Sequence, residues 1–398
     1  MKTETTEYLF AARTESVPQS FIREILKVAS NPDITSFAGG LPNPVYFPVK
    51  QLANCAEKIF KEQGGQALQY AATEGYYPLR EYISNRYRQR YKMDIPPERI
   101  LITSGSQQAL DLIGKIFVNS GDEVLLERPT YLGALQCLSV FQPIFREVQM
   151  NQHGVDTEDL QMEMGWNDIK LFYSIPNFQN PTGIQYSLET RKKVAAIIQN
   201  YKTIVVEDDP YGDIFFNEEM FPPIYSYLPD QTILLGSFSK IIAPGLRLGW
   251  MVANEEIIKK ATVMKQASDL HSGNLSQFIL YRFLCDYNLD EHIQTIRCAY
   301  KKQRDVMMDC LYNYFPSSVL YTKPEGGMFT WVTLPEGISS RELLNKAMDK
   351  NIIFVPGDSF YACSPDKQTL RLNYSNVEEV EMRRAMQVLG ELVCKSVY

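Results

Sequence analysis

Thr232-Ile233-Leu234-Leu235-Gly236-Ser237-Phe238-Ser239-Lys240 is an apolar run that reads as a buried strand and stops on two hydroxyls and an ammonium, with Arg247 following. A buried strand seldom stops on a lysine unless something there uses the amine. One use is an imine with an aldehyde-bearing cofactor. The hydroxyls of Ser237 and Ser239 and the guanidinium of Arg247 then suit a phosphate on that group. Taken alone, the stretch is equally a solvated lysine in a strand-to-loop turn with a chance arginine nearby, so the rest of the chain has to decide.

Upstream the pattern repeats. Thr203–Glu207 is an apolar strand ending in Asp208-Asp209-Pro210-Tyr211. Ile169–Tyr173 is another, running into Pro176-Asn177-Phe178-Gln179-Asn180-Pro181-Thr182-Gly183, after which Ser187 caps a helix through Asn200. Glu123–Glu127 leads to Tyr131. Ile100–Thr103 leads into Ser104-Gly105-Ser106-Gln107-Gln108, and the spacing of Ala109, Leu112, Ile113 and Ile116 predicts a helix there. Strand, small-residue turn and helix leave backbone N–H groups free at a helix N-terminus, an arrangement that binds anions or simply caps the helix. Alternating strands and helices imply βαβ units and a parallel sheet. In such sheets ligands sit beyond the C-terminal strand ends, and the polar clusters at 104–107, 131, 180, 208–211 and 237–240 all fall there.

The flanks read differently. Val17–Ala29 has helical spacing, with Arg23 off its apolar face, and Ser36–Pro42 is an irregular Gly- and Pro-rich segment. Gln69–Gly75 is non-periodic and leads to a helix over Pro78–Tyr91. Beyond Leu284 come helices over Asp290–Tyr314, Ser340–Lys350 and Asn376–Cys394, with strands at Met328–Leu334, Ile352–Val355 and Thr369–Leu372. The expected division is an N-terminal segment 1–35 packing with a smaller α+β domain 286–398, beside a large domain 36–285.

Composition excludes several classes. The 398 residues are 45% hydrophobic, with net charge −7 and no basic block, which gives nucleic-acid binding no electrostatic support. No apolar run approaches the ~20 residues of a membrane span. The polar, acidic N-terminus is unlike a secretory signal. Seven scattered cysteines without a C-x-x-C pair point to a reducing cytoplasm rather than disulfides, and three dispersed histidines suggest no metal site.

The set Asn180-Pro181-Thr182-Gly183, Asp208-Asp209-Pro210-Tyr211, Ser237-Phe238-Ser239-Lys240, Arg247 and Leu370-Arg371-Leu372 resembles the pyridoxal-phosphate-dependent class I/II aminotransferases of fold type I, across essentially the whole chain. Ser36–Pro42, Gly105–Gln108 and Glu207–Tyr211 look most like the 2-aminoadipate/kynurenine branch. The resemblance implies an α/β fold with a mostly parallel sheet flanked by helices plus the smaller α+β domain, pyridoxal 5'-phosphate as cofactor, and a homodimer with shared sites. It implies Lys240 as the imine-forming amine and proton carrier, Asp208 opposite the pyridine nitrogen, Tyr211 and Asn180 on the ring hydroxyl, and Tyr131 stacked on the ring. Ser106, Gln107, Ser237, Ser239 and Arg247 would hold the phosphate, with Tyr70 reaching it from a second subunit. Arg371 would grip the substrate carboxylate, with Gly40 alongside. Arg23 either meets a distal carboxylate of the substrate or is a solvated helix residue.

The implied reaction moves an amino group from an L-amino acid (2-aminoadipate, aromatic or otherwise bulky) to a 2-oxo acid such as 2-oxoglutarate. A C–S β-lyase of the same fold begins with the same Cα deprotonation and stays open. The effector domain of a winged-helix regulator fits less well, because those carry an additional N-terminal domain and a basic linker, whereas here the fold begins near the start of an acidic chain.

Overall fold

The computed structural model describes residues 9–17, 31, 33–217 and 220–397. The helix expected over Val17–Ala29, and Arg23 with it, lies outside the described residues apart from Val17 itself. In chain order the strands are β1 (Thr35–Ser36), β2 (Ile100–Thr103), β3 (Glu123–Arg128), β4 (Ile144–Asn151), β5 (Gly154–Val155), β6 (Ile169–Ser174), β7 (Ile204–Asp209), β8 (Thr232–Ser237), β9 (Gly249–Val252), β10 (Leu320–Tyr321), β11 (Phe329–Thr333), β12 (Ile352–Ile353), β13 (Val355–Pro356) and β14 (Thr369–Asn373).

An eight-stranded sheet has the order β2-β9-β8-β7-β6-β3-β4-β5. β3, β4, β6, β7 and β8 pair in parallel, and β9 runs antiparallel to both β8 and β2, so β2 points the same way as the parallel set. The C-terminal ends of β2, β3, β6, β7 and β8 therefore share one edge of the sheet. Both faces are covered, which explains why these strands are continuous apolar runs. Leu125, Phe172 and Val205 pack with Leu160, Val194 and Ile198 on one face. Their strand neighbours Val124, Leu126, Leu171, Tyr173 and Val206 join the main core on the other. On the first face, the helix Leu188–Ile198 starts where Ser187 accepts a hydrogen bond from the Thr190 N–H at 3.1 Å.

A second sheet, β10-β11-β14-β13, is wholly antiparallel. The helices Leu289–Tyr314, Ser340–Met348 and Glu379–Val397 accompany it in sequence. β1 pairs in parallel with β12, tying Thr35 to Ile352. From there the chain lies along β14: Phe37 O accepts from Asn373 N at 2.9 Å, and the Asn373 amide donates to Gly39 O. The Gly-rich segment before Pro42 is thus laid against the end of the large sheet by a strand some 330 residues later.

Candidate active site

The shared strand edge opens into a cleft of about 400 Å³. β8 ends at Ser237 and delivers Lys240 into it; β7 delivers Asp208 and Tyr211. The turns after β3 and β6 deliver Tyr131 and Asn180, and the helix after β2 delivers Ser106 and Gln107. Ser239 and Arg247 come from the loop between β8 and β9, Gly40 from the N-terminal segment and Arg371 from β14. Two expected residues are not part of this constellation. Tyr70 is 78% exposed, edge-on to His271 and away from the cleft of its own chain, and Arg23 is outside the described residues.

Asp208 is buried at the cleft wall. Its Oδ2 accepts from the Tyr173 hydroxyl at 2.8 Å, while Oδ1 has no partner among the described residues. Burial pushes its pKa up to about 7; the Tyr173 bond pulls the other way, and Asp209 adds repulsion. Asp209 is turned aside, accepting from Asn177 Nδ2 and the Gly212 N–H, each at 2.9 Å. The two adjacent acids thus divide the work: one caps the turn, the other faces the cleft.

Lys240 Nζ donates to Gly40 O at 2.6 Å. Burial, with the Arg371 and Arg247 cations nearby, lowers its pKa to about 8, so about a tenth of the amine is neutral at pH 7. Arg371 lies within β14, opposite Trp331 and Val355. Its Nη1 donates to Asn180 Oδ1 at 2.7 Å and its Nη2 to Ala38 O at 2.6 Å, and its Nε has no partner among the described residues. Phe329 and Phe360 face the guanidinium at 4.2 and 5.1 Å. No carboxylate among the described residues pairs with it, and burial brings its pKa down to about 10.

The anion cradle is built from backbone as much as side chains. Gly105 caps the helix Ser106–Phe117 with φ +81°, and a Cβ there would stand 2.7 Å from Arg247 Nη2. Arg247 itself is left-handed, φ 54°, and donates to Ser104 O at 3.0 Å. Ser237 Oγ accepts from the Ser239 N–H at 3.1 Å, shaping the turn into Lys240. Gln107 Nε2 donates to Gly133 O at 2.9 Å, joining the cradle to the loop whose Tyr131 ring packs on Gly133.

Sequence reading missed two supports. Tyr173, seen only as strand, holds Asp208. Glu127, fully buried at the end of β3, accepts from Ile175 N and Gln179 Nε2, both at 2.9 Å, and from the Tyr186 hydroxyl at 2.6 Å. Gln179 in turn accepts from Thr182 N at 2.9 Å, closing the turn that presents Asn180. A carboxylate at the end of an apolar strand was the available signal, and Glu127 shows it as plainly as Asp208.

A phosphorylated hydroxypyridine aldehyde asks for an amine, an acid for its ring nitrogen, donors for its hydroxyl and an anion cradle. The cleft offers Lys240, the unpartnered Asp208 Oδ1, the Asn180–Tyr211 pair (3.4 Å apart) and the helix N-terminus with Arg247. The residues fit the group. Among the described residues no cluster suited to a metal ion occurs, the cysteines are free, and no helix is long and apolar enough to cross a membrane.

The family model for Aminotransferase class I and II matches residues 43–389. An aromatic-amino-acid aminotransferase of Thermococcus litoralis is 39% identical over 393 residues, 97% of this chain and 94% of the relative. A 2-aminoadipate transaminase of Thermus thermophilus is 38% identical over 378 residues, 94% of each. The solved kynurenine aminotransferase of Pyrococcus horikoshii, in complex with PMP, superimposes with TM-score 0.93 at 39% identity over 98% of both chains. The chain that carries this cleft thus belongs to the class I and II aminotransferases, enzymes that transfer amino groups with pyridoxal phosphate.

Proposed function

We propose that this aminotransferase takes its amino group from 2-aminoadipate, aromatic or other bulky L-amino acids and passes it to a 2-oxo acid such as 2-oxoglutarate. The observation that carries the cofactor site is the buried Asp208 with one free oxygen, lining the same cleft as an amine of lowered pKa. The relatives' names support the donor class. When bound, the pyridinium ring supplies a sink for the charge left on the substrate Cα. Asp208 keeps a proton on the ring nitrogen. Tyr211 and Asn180 donate to the ring hydroxyl, and Tyr131 covers the ring face. Ser106, Gln107, Ser237, Ser239 and Arg247 hold the phosphate, joined by Tyr70 of a second copy. Arg371 orients the substrate through its α-carboxylate beside Gly40. Lys240 Nζ, neutral once freed, takes the Cα proton and redelivers it.

The same reading has Arg23 meeting a distal carboxylate, the protein working as a homodimer in the cytoplasm, and its product feeding amino-acid biosynthesis. It divides the chain at 36–285 and 286–398 with 1–35 joining the latter. The separate sheets within 100–252 and 320–373, and the β1–β12 pair, support that division.

Titrating the holoenzyme with single amino acids, without an acceptor, tests the reaction. Conversion of the visible cofactor band to the pyridoxamine form, ranked by donor, is expected. Release of pyruvate and ammonia from cysteine-type donors without any 2-oxo acid would mark a lyase instead.

A further inference from the structure

We propose that Lys265, which does not itself line the cleft, is a positioning residue for the phosphate cradle, acting through Gln108 and Ser104; this rests on the cleft being the pyridoxal-phosphate site. Lys265 lies in the last turn of the helix Glu255–Ser268, and its side chain is wholly buried. Its Nζ donates to Gln108 Oε1 at 2.8 Å and to both oxygens of Asp269 at 2.8 and 2.9 Å. Gln108 Oε1 also accepts from the Ser104 N–H at 2.8 Å, and its Nε2 donates to Asp269 Oδ2 at 2.6 Å. Both ends of the amide are therefore engaged, so its orientation is set by three groups at once. The Ser104 hydroxyl completes the ring, 3.3 Å from Asp269 Oδ2.

The chain of contacts then leaves the ring in one direction. Ser104 O receives Arg247 Nη2 at 3.0 Å. Ser104-Gly105 is the peptide unit on which the cradle turns, and a Cβ on Gly105 would already crowd that guanidinium. A small rotation of this unit therefore moves both Arg247 and the first N–H groups of the helix Ser106–Phe117. An ammonium is costly to bury, and an apolar side chain of similar length would fill the same space. A charge retained there, bonded to the very residue that fixes the turn, is accounted for by the turn's need to be held in one place. Outer contacts of this kind set the geometry of the groups that touch the ligand.

The test compares wild-type apoprotein with Lys265→Met and Gln108→Leu, measuring dissociation constants for inorganic phosphate, pyridoxal 5'-phosphate and pyridoxal. Asp269, part-exposed, can hydrate when Lys265 is replaced. Both variants are expected to bind phosphate and pyridoxal phosphate about tenfold more weakly, with pyridoxal, which has no phosphate, unchanged. Equal weakening of all three, or of none, would overturn the proposal. Should Lys265→Met not fold, Gln108→Leu alone carries the comparison. A wild type that takes up no pyridoxal phosphate would defeat the reading of the cleft, whereas an intact wild type with unaltered variants defeats only the role of Lys265.

Discussion

Asp208 keeps its proton more readily in the folded chain than in the unfolded one. Burial raises its pKa from 3.8 to about 7, so the folded chain holds a proton that the unfolded chain has released between those values. That contribution is present at low pH and lost as pH rises through the folded value. Asp208→Asn is therefore expected to stabilise the cofactor-free protein at pH 8, by on the order of 1–4 kcal/mol, while abolishing amino transfer. Calorimetry at pH 8 checks the first part and a donor titration the second. Tyr173 works in the opposite sense, since its hydroxyl bond stabilises the carboxylate. Tyr173→Phe should raise the Asp208 pKa further, so the acid-side fall in pyridoxal-phosphate binding by the apoprotein begins at higher pH. An unmoved acid limb would mean that Tyr173 does not govern Asp208. Lys240 and Asp208 stood out in a single line of sequence as charges where an apolar strand stops, whereas Arg371 was named only through the family resemblance. Tyr173 did not stand out, since a tyrosine in a strand is ordinary core and only the register of β6 beside β7 brings its hydroxyl to the acid. Arg23 remains where sequence left it, and its role is open to a direct check. Arg23→Ala should weaken 2-aminoadipate in kcat/KM more than an aromatic donor, and equal effects on both would exclude contact with a distal carboxylate.

At the scale of elements, the strand ends carry the site. The five strand ends read from sequence as delivering polar clusters all lie on one edge of the sheet. Reading the C-terminal edge required only the alternation of apolar runs with helices. β9 was not legible: four residues, Gly249–Val252, follow the Lys240 loop directly and read as its continuation. Their antiparallel insertion between β8 and β2 places Arg247 across from Ser104. The pair β4 and β5 was missed for another reason, since β4 is only partly buried and mixes apolar with charged and amide residues, and β5 has two residues. The helix cap at Gly105 tolerates a side chain poorly. Gly105→Ala meets both a positive φ and the Arg247 guanidinium. It should cost about 1–2 kcal/mol of stability and weaken phosphate binding by at least about tenfold. Thermal denaturation and a phosphate titration read the two effects separately.

For the whole molecule, the N-terminal segment and β14 line the cleft together with the strand ends of the large sheet. Arg371 bridges them through Asn180 and Ala38. Tyr70, exposed in its own chain, has a place in the site only if two copies share it. Hybrids of Lys240→Ala and Tyr70→Ala chains test this. If Tyr70 acts in trans, each hybrid dimer contains one site with both residues intact and recovers about half the wild-type activity. If it acts in its own chain, no hybrid site is intact and no recovery appears.

The most direct measurement asks which amine carries the cofactor. Holoenzyme is reduced with borohydride, digested and mapped by mass spectrometry, beside the Asp208→Asn variant. A phosphopyridoxyl group on Lys240 alone is expected, with a cofactor band in the variant that no longer responds to amino acids. Label on another lysine, or on none after reconstitution, would contradict it.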